Sequence, residues 1–323
     1  MKQKVLAFAG CVLIALSCTK ESTKNFPAEE PSEIVMVAGR CASEEVLQQQ
    51  LQLDPTLAGK MQEIEMATQR FIKNPTTDIL AGDVMTIPVV VNVLYRTVAE
   101  NISAAQIQSQ IDVLNADFAA TNSDYNSTDP YFQSVRSGDT KVRFVLDQVF
   151  RKSTSKTSFR TDDAMKKSSK GGIDPTSPAT KLNIWVCNMG GGILGYAQFP
   201  GGSPATDGVV LDDKATGNTG TAAAPYGMGR TATHEVGHWL NLRHIWGDAT
   251  CGNDLVTDTP LHQTSNGGCP AFPKYGSCSA TVPMMTMNYM DYTYDACMYM
   301  FTLGQSSRMA ATYAVGGPRA SFR

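Results

Sequence analysis

The chain has 323 residues, 42% of them hydrophobic and 18% charged, with a formal net charge of −3. That composition provides a sizeable core and excludes a disordered, collagenous or coiled-coil chain; the near balance of charge excludes a global electrostatic grip on nucleic acid or an anionic membrane. No apolar run reaches the ~20 residues that a membrane-spanning helix needs.

Lys2 and Lys4 precede an almost wholly apolar stretch from Val5 to Leu16, the pattern of an export signal. Ala15-Leu16-Ser17-Cys18 resembles a bacterial lipoprotein signal, with residues 1–17 removed and Cys18 lipidated, although Ala15 stands where Leu is usual. The alternative is an ordinary cleaved signal. On either reading the protein leaves the cytoplasm for the outer membrane, the cell surface or the medium, and disulfides are permitted. Any membrane contact is then through a lipid anchor. Residues 19–33, polar and carrying Pro27 and Pro31, read as a tether. Ser43 before Glu44, Glu45, Val46 and Leu47 reads as a helix cap, and Leu57, Met61, Ile64 and Phe71 continue an apolar stripe after Pro55. The boundary falls near residue 75, so that 18–74 is a tether and N-terminal segment and 75–323 the main domain.

Ile87 to Tyr95 is a β-rich run, a buried strand. Ser103 with Gln106 predicts a capping box and Ile102 with Ile107 a hydrophobic staple; Ile107, Ile111, Leu114 and Phe118 then repeat at helical spacing. Val142 to Phe150 and Leu182 to Cys187 are further strands, so the first half reads as a twisted α/β layer. Residues 141–181 hold ten Lys or Arg against four Asp or Glu. Without interleaved aromatics this excess reads as a solvated loop and helix face, not a nucleic-acid site. Gly190-Gly191-Gly192 lacks the following Gly-Lys-Ser or Gly-Lys-Thr of a phosphate loop.

Cys251, Cys269, Cys278 and Cys297 cluster in the last quarter and suggest two disulfides, with three possible pairings. Cys187, in an apolar strand, reads as a free buried thiol. Three of the four histidines fall within eleven residues, in His234-Glu235-x-x-His238-x5-His244. His234 and His238 lie one helical turn apart on one face and can share an ion. Glu235 reaches a metal-bound water without being a ligand, the geometry of a general base in a zinc hydrolase. His244 is too far along for the same face, so the helix must end and the chain turn back, with Asn241 the residue that tolerates positive φ. Three neutral histidines leave an open position, as in catalytic rather than structural zinc sites. The fourth histidine, His262, reads as a bland surface residue.

The zinc motif, with Asn288-Tyr289-Met290-Asp291-Tyr292 beyond it, resembles the metzincin zinc endopeptidases, and within them the pappalysin family and its prokaryotic members, over about residues 185–310. Asn241 departs from that pattern, which has Gly. The resemblance implies an α+β fold of zincin type: an upper subdomain with a twisted mixed sheet and the zinc helix, and an irregular, disulfide-braced lower subdomain with a Met-turn. It implies that Met290 forms the floor under the zinc and that Tyr292 helps bind the tetrahedral intermediate. Asp295 would lie at the base of a pocket that selects Arg or Lys after the scissile bond. Gly195 and Tyr196, in Leu194-Gly195-Tyr196-Ala197-Gln198-Phe199-Pro200, would belong to a cleft-rim strand whose free edge binds the substrate backbone. Asp254, Thr257 and Thr259 would hold calcium, and Cys251 would pair with Cys278 and Cys269 with Cys297. Arg40-Cys41-Ala42-Ser43 is similar to a latency segment whose cysteine takes the fourth zinc position, though Ala42 stands where Gly is expected. A lock of that kind requires cleavage after Cys41, and Gln69–Arg70 and Ile72–Lys73 are the candidate self-cleavage bonds.

The expected protein is thus an exported, monomeric zinc endopeptidase made as a latent precursor, acting on proteins or peptides and not on nucleic acid. Two alternatives remain at this stage: a binding or adhesion module in which zinc is only structural, and a hydrolase of amide bonds outside proteins.

Overall fold

The computed structural model describes residues 40–74 and 84–322. The export signal, the tether and the boundary near residue 75 lie outside the described residues. Strand β1 (Arg40–Cys41) leads into helices α1 (Ser43–Leu53) and α2 (Leu57–Lys73). Strand β2 (Met85–Tyr95), helix α3 (Ala104–Phe118), strands β3 (Val142–Ser153), β4 (Leu182–Cys187), β5 (Ile193–Ala197) and β6 (Val209–Asp212), and helices α4 (Arg230–Trp239) and α5 (Leu303–Tyr313) follow.

The six strands form one mixed sheet in the order β1-β5-β6-β4-β2-β3, with only β5 and β6 antiparallel. Its central strands are buried on both faces, which is why they read as apolar runs rather than as alternation. One face of β2 and β4, with Val89, Val91, Val93, Ile184 and Val186, packs on Ile107, Ile111, Leu114 and Phe118 of α3 and on Val236 of α4. On the other face Leu94, Trp185, Tyr196 and Val210 meet Val46 of α1 and Met165. The basic segment is the outer strand β3 followed by loops and short 3₁₀ turns, not a helix face, and Lys166 within it is buried against Asp163 and the Thr206 carbonyl.

Between α4 and α5 the chain is largely irregular. Cys251–Cys278 and Cys269–Cys297 staple it, with Cα separations of 5.6 and 5.5 Å, the pairing expected from the resemblance. Closing loops of 27 and 28 residues removes entropy from the unfolded chain worth about 3–4 kcal/mol each. Cys187 is free and buried, as expected.

Two expected caps differ. Ser103 accepts from the Gln106 amide, but the Gln106 side chain does not return to Ser103. It is buried and bridges α3 to the loop after β6, donating to the Asp213 and Thr216 carbonyls and accepting from the Thr221 amide. Ser43 begins α1 rather than capping it, and its hydroxyl is used elsewhere. Gln106→Ala strands those three groups without partners, and the expected outcome is a loss of about 2 kcal/mol in denaturant unfolding.

Candidate active site

The centre is built on α4, all of whose residues are buried. His234 and His238 project from one face. The helix ends at Trp239, Asn241 takes φ +70°, and the reversal brings His244 back to the same point. The Nε2 atom of His238 lies 3.1 Å from that of His234 and 3.1 Å from that of His244. What sits on the opposite ring nitrogens decides their chemistry. Nδ1 of His234 meets the Tyr289 carbonyl at 2.6 Å and Nδ1 of His238 meets the Leu242 carbonyl at 2.8 Å. A carbonyl only accepts, so the proton belongs on Nδ1 and the Nε2 lone pairs face one another. Asp248 plays the same part for His244, its Oδ1 2.5 Å from Nδ1. Burial, with the neighbouring His244, lowers His234 to about 3, and burial holds His238 well below its usual range, so both rings stay neutral. Converging imidazole lone pairs with no donor between them are a cation seat, and the donor set fits zinc.

Cys41 completes it: its sulfur and one nitrogen from each histidine lie within 4.8 Å of one another. The N-terminal segment arrives as β1, parallel to β5 with Cys41 opposite Gly195, and the Ala42 amide donates to the Gly195 carbonyl at 2.9 Å. Glycine is required there, because a Cβ on Gly195 would lie 2.7 Å from the Val210 carbonyl oxygen and 3.1 Å from Cγ of Glu235. Tyr196 does not face the cleft. Its ring is buried on the far side and its hydroxyl donates to Asp163 at 2.8 Å, leaving only backbone for a substrate to meet.

Glu235 is fully buried. Its Oε2 accepts from the Ser43 hydroxyl at 2.8 Å and from the Cys41 thiol at 3.3 Å, while Oε1 has no partner. Burial pushes it up to about 8, against the pull of those two hydrogen bonds. Ser43 also accepts from the Ala197 amide at 2.8 Å. In the sequence, Ser43 has no role at the centre beyond a helix cap and membership of the latency-like segment; its place two residues after Cys41 is the available sign. Tyr292 donates from its hydroxyl to the Cys41 carbonyl at 3.0 Å. Met290 lies directly beneath the zinc helix, where a Cβ on Gly237 would come within 2.6 Å of its sulfur.

Asp295 lines a pocket shared with His234, Glu235, Tyr226 and Met298. Its Oδ2 accepts from the Met228 and Arg230 amides at 2.8 and 3.2 Å, and its Oδ1 has no partner. Burial raises it to about 6. Asp254 and Thr259 are in contact, the hydroxyl 2.9 Å from Oδ2, but Thr257 is exposed. His262 is not a surface residue. It is fully buried, and its Nε2 accepts from the Met285 amide at 2.8 Å, tying the loops of the lower half together.

Residues 205–314 match the family model described as pregnancy-associated plasma protein-A. An extracellular metalloprotease of Arthroderma otae is 31% identical over 244 residues, covering 74% of this chain and 80% of the relative. Mature mirolysin of Tannerella forsythia, solved with a cleaved peptide, is 46% identical with a TM-score of 0.73, covering 75% of this chain and 96% of that structure. The chain belongs to the pappalysin family of metzincins. It is a zinc metalloendopeptidase, which sets aside the binding-module alternative. The Arthroderma relative's name supports export. A promirolysin mutant of Tannerella forsythia, 43% identical with a TM-score of 0.79, covers 87% of this chain and 96% of its own. That wider coverage supports manufacture as a zymogen.

The protease's ligand turn yields a direct test. Asn241→Gly should keep zinc and stability, whereas Asn241→Val, which resists positive φ, should cost about 1–3 kcal/mol and lower zinc content measured by atomic absorption.

Proposed function

We propose that this chain is a Cys41-latent endopeptidase that cuts before Arg or Lys. The observation that carries the reading is the double engagement of the centre by residues 41–43: Cys41 sulfur beside the three histidines and Ser43 on Glu235. Once the segment leaves, Glu235 loses both hydrogen bonds and faces the space the thiol vacates. A bound zinc supplies Lewis acidity, polarising the scissile carbonyl and acidifying a water. Glu235 takes that water's proton and passes it to the leaving amine. Tyr292, released from the Cys41 carbonyl, turns its hydroxyl to donate to the oxygen that becomes tetrahedral. No residue of the chain forms a covalent intermediate. The free edge of β5, vacated by β1, takes substrate backbone, with Gly195 allowing it close to Glu235.

For specificity, the unpartnered Oδ1 of Asp295 supports a guanidinium or ammonium entering the pocket, where a charge-assisted hydrogen bond satisfies both groups. Asp254 and Thr259 offer two hard oxygens for calcium, with Thr257 needing to turn inward. The bonds Gln69–Arg70 and Ile72–Lys73 lie in the last turns of α2, so cleavage there requires that end of the helix to unwind. A lipid anchor at Cys18 and a monomeric protease complete the reading.

Glu235→Gln should retain zinc and lower kcat/KM on a peptide by at least about 10²–10⁴-fold, read by fluorescence of a quenched substrate. Unchanged turnover would remove the general-base role. Cys41→Ala with Ser43→Ala should give an uncleaved chain with measurable activity, while each single variant retains part of the block. An inert, zinc-loaded double variant would count against latency by these two residues.

A further inference from the structure

A buried arginine stands beside the pocket that is proposed to receive a basic side chain. Arg230, the first residue of α4, is 4% exposed and lines the same pocket as Asp295. A buried cation gains from pairing with an unsatisfied carboxylate oxygen such as Oδ1 of Asp295, which lines the same pocket, and would repel a second cation there. Arg230 does not take that pairing. The guanidinium reaches the Asp295 backbone carbonyl at 2.7 Å, yet its ion pairs among the described residues are with Asp124 and Asp117. Asp124 grips it as a two-pronged pair, 2.6 Å from Nη1 to Oδ2 and 2.6 Å from Nη2 to Oδ1. Asp117 stands farther off, at 3.7 Å, and its Oδ2 accepts from Thr233 instead. Asp124 comes from the turn after α3, distant in sequence from both α4 and the Met-turn, and Asn122 steadies it through Nδ2 at 2.8 Å.

We infer that Asp124 sets the preference for a basic side chain after the scissile bond, by neutralising Arg230 and holding its guanidinium off the Asp295 carboxylate. The inference rests on the pocket reading given above. With Asp124 present, the charge of Arg230 is already answered and Asp295 keeps an unspent negative charge for the substrate. Without it, Arg230 turns by rotation about its side-chain bonds to Oδ1 of Asp295, the pocket becomes neutral, and an incoming Arg or Lys meets a filled site. Asp124 is therefore a positioning residue. It acts through Arg230 and touches no substrate.

The test uses activated, zinc-loaded protease and two peptides that differ only in Arg or Leu after the scissile bond. Asp124→Ala and Asp124→Asn should each lower the Arg-to-Leu ratio of kcat/KM at least about tenfold, mainly by raising KM for the Arg peptide, with the Leu peptide within about threefold of the parent. Asp124→Glu, which can still grip the guanidinium, should restore much of the ratio. An unchanged ratio in both variants overturns the inference, and so does an equal fall on both peptides, which is what loss of structure alone would give. Asp295→Asn separates the two levels. If it abolishes the Arg preference while the Asp124 variants keep it, only the role of Asp124 fails; if it keeps the preference, the pocket reading fails with it.

Discussion

Three imidazole lone pairs aimed at one point repel one another, and much of the molecule is arranged to keep them there. Each ring is held from behind by an acceptor: the Tyr289 carbonyl, the Leu242 carbonyl and the Asp248 carboxylate. Those acceptors come from two separate pieces of chain, the turn after α4 and the Met-turn, which must therefore be fixed to one another and to the helix. The sheet fixes α4 through Val236 and α3. The Met-turn is fixed by the hydrogen bond from the Ile245 amide to the Met290 carbonyl and by Met290 seated where Gly237 lacks a side chain. The indole of Trp246 stacks on His244 at 4.2 Å and sets its plane. Stability in this region serves orientation, because an imidazole turned away from the point contributes nothing to a cation.

What the sequence made legible follows from how local the responsible interactions are. The zinc helix and its turn were readable because the spacing of His234, His238 and His244 and the tolerance of Asn241 for positive φ are properties of neighbouring residues. The β-rich run before Tyr95 and the periodic stripe from Ile107 to Phe118 were readable for the same reason. The missed features depend on distant partners. Gln106 fits a capping box by spacing, yet the loop after β6 offers its side chain three backbone partners and outcompetes the Ser103 amide. Ser43 fits a cap by its neighbours, yet the carboxylate of Glu235, 192 positions away, claims its hydroxyl. His262 had no motif around it, and only the fold brings the Met285 amide to its ring. The two disulfides were assigned by resemblance, since four cysteines alone allowed three pairings.

On the proposed reading, the N-terminal segment is an inhibitor made from the scaffold's own rules. A two-residue strand completes the edge of the sheet at β5, which would otherwise present unpaired backbone groups. That pairing delivers the Cys41 sulfur, the Cys41 carbonyl and the Ser43 hydroxyl to the histidines, Tyr292 and Glu235 in a single stretch. Two helices then anchor the delivery. Leu47 and Leu57 share a small apolar cluster with Phe199, and Glu65 of α2 forms a two-pronged pair with the buried Arg308 of α5.

Arg308 also donates to the carbonyls of Asn241 and Leu255, so one guanidinium joins the segment to the turn that positions His244. The apolar cluster beneath the segment is small, which bears on release. While α2 is continuous with the main domain, the segment binds as an intramolecular partner, and its effective concentration keeps even modest contacts occupied. A cut past Cys41 removes that advantage at one stroke. What remains must hold without that tether, through the two-residue strand, the contacts of Cys41 and Ser43 at the centre, the apolar side chains Val46, Leu47 and Leu57, and the ion pair of Glu65 with the buried Arg308. On the proposed reading, latency is thus strong while the chain is whole and weak once it is nicked, without any need for the centre itself to change shape.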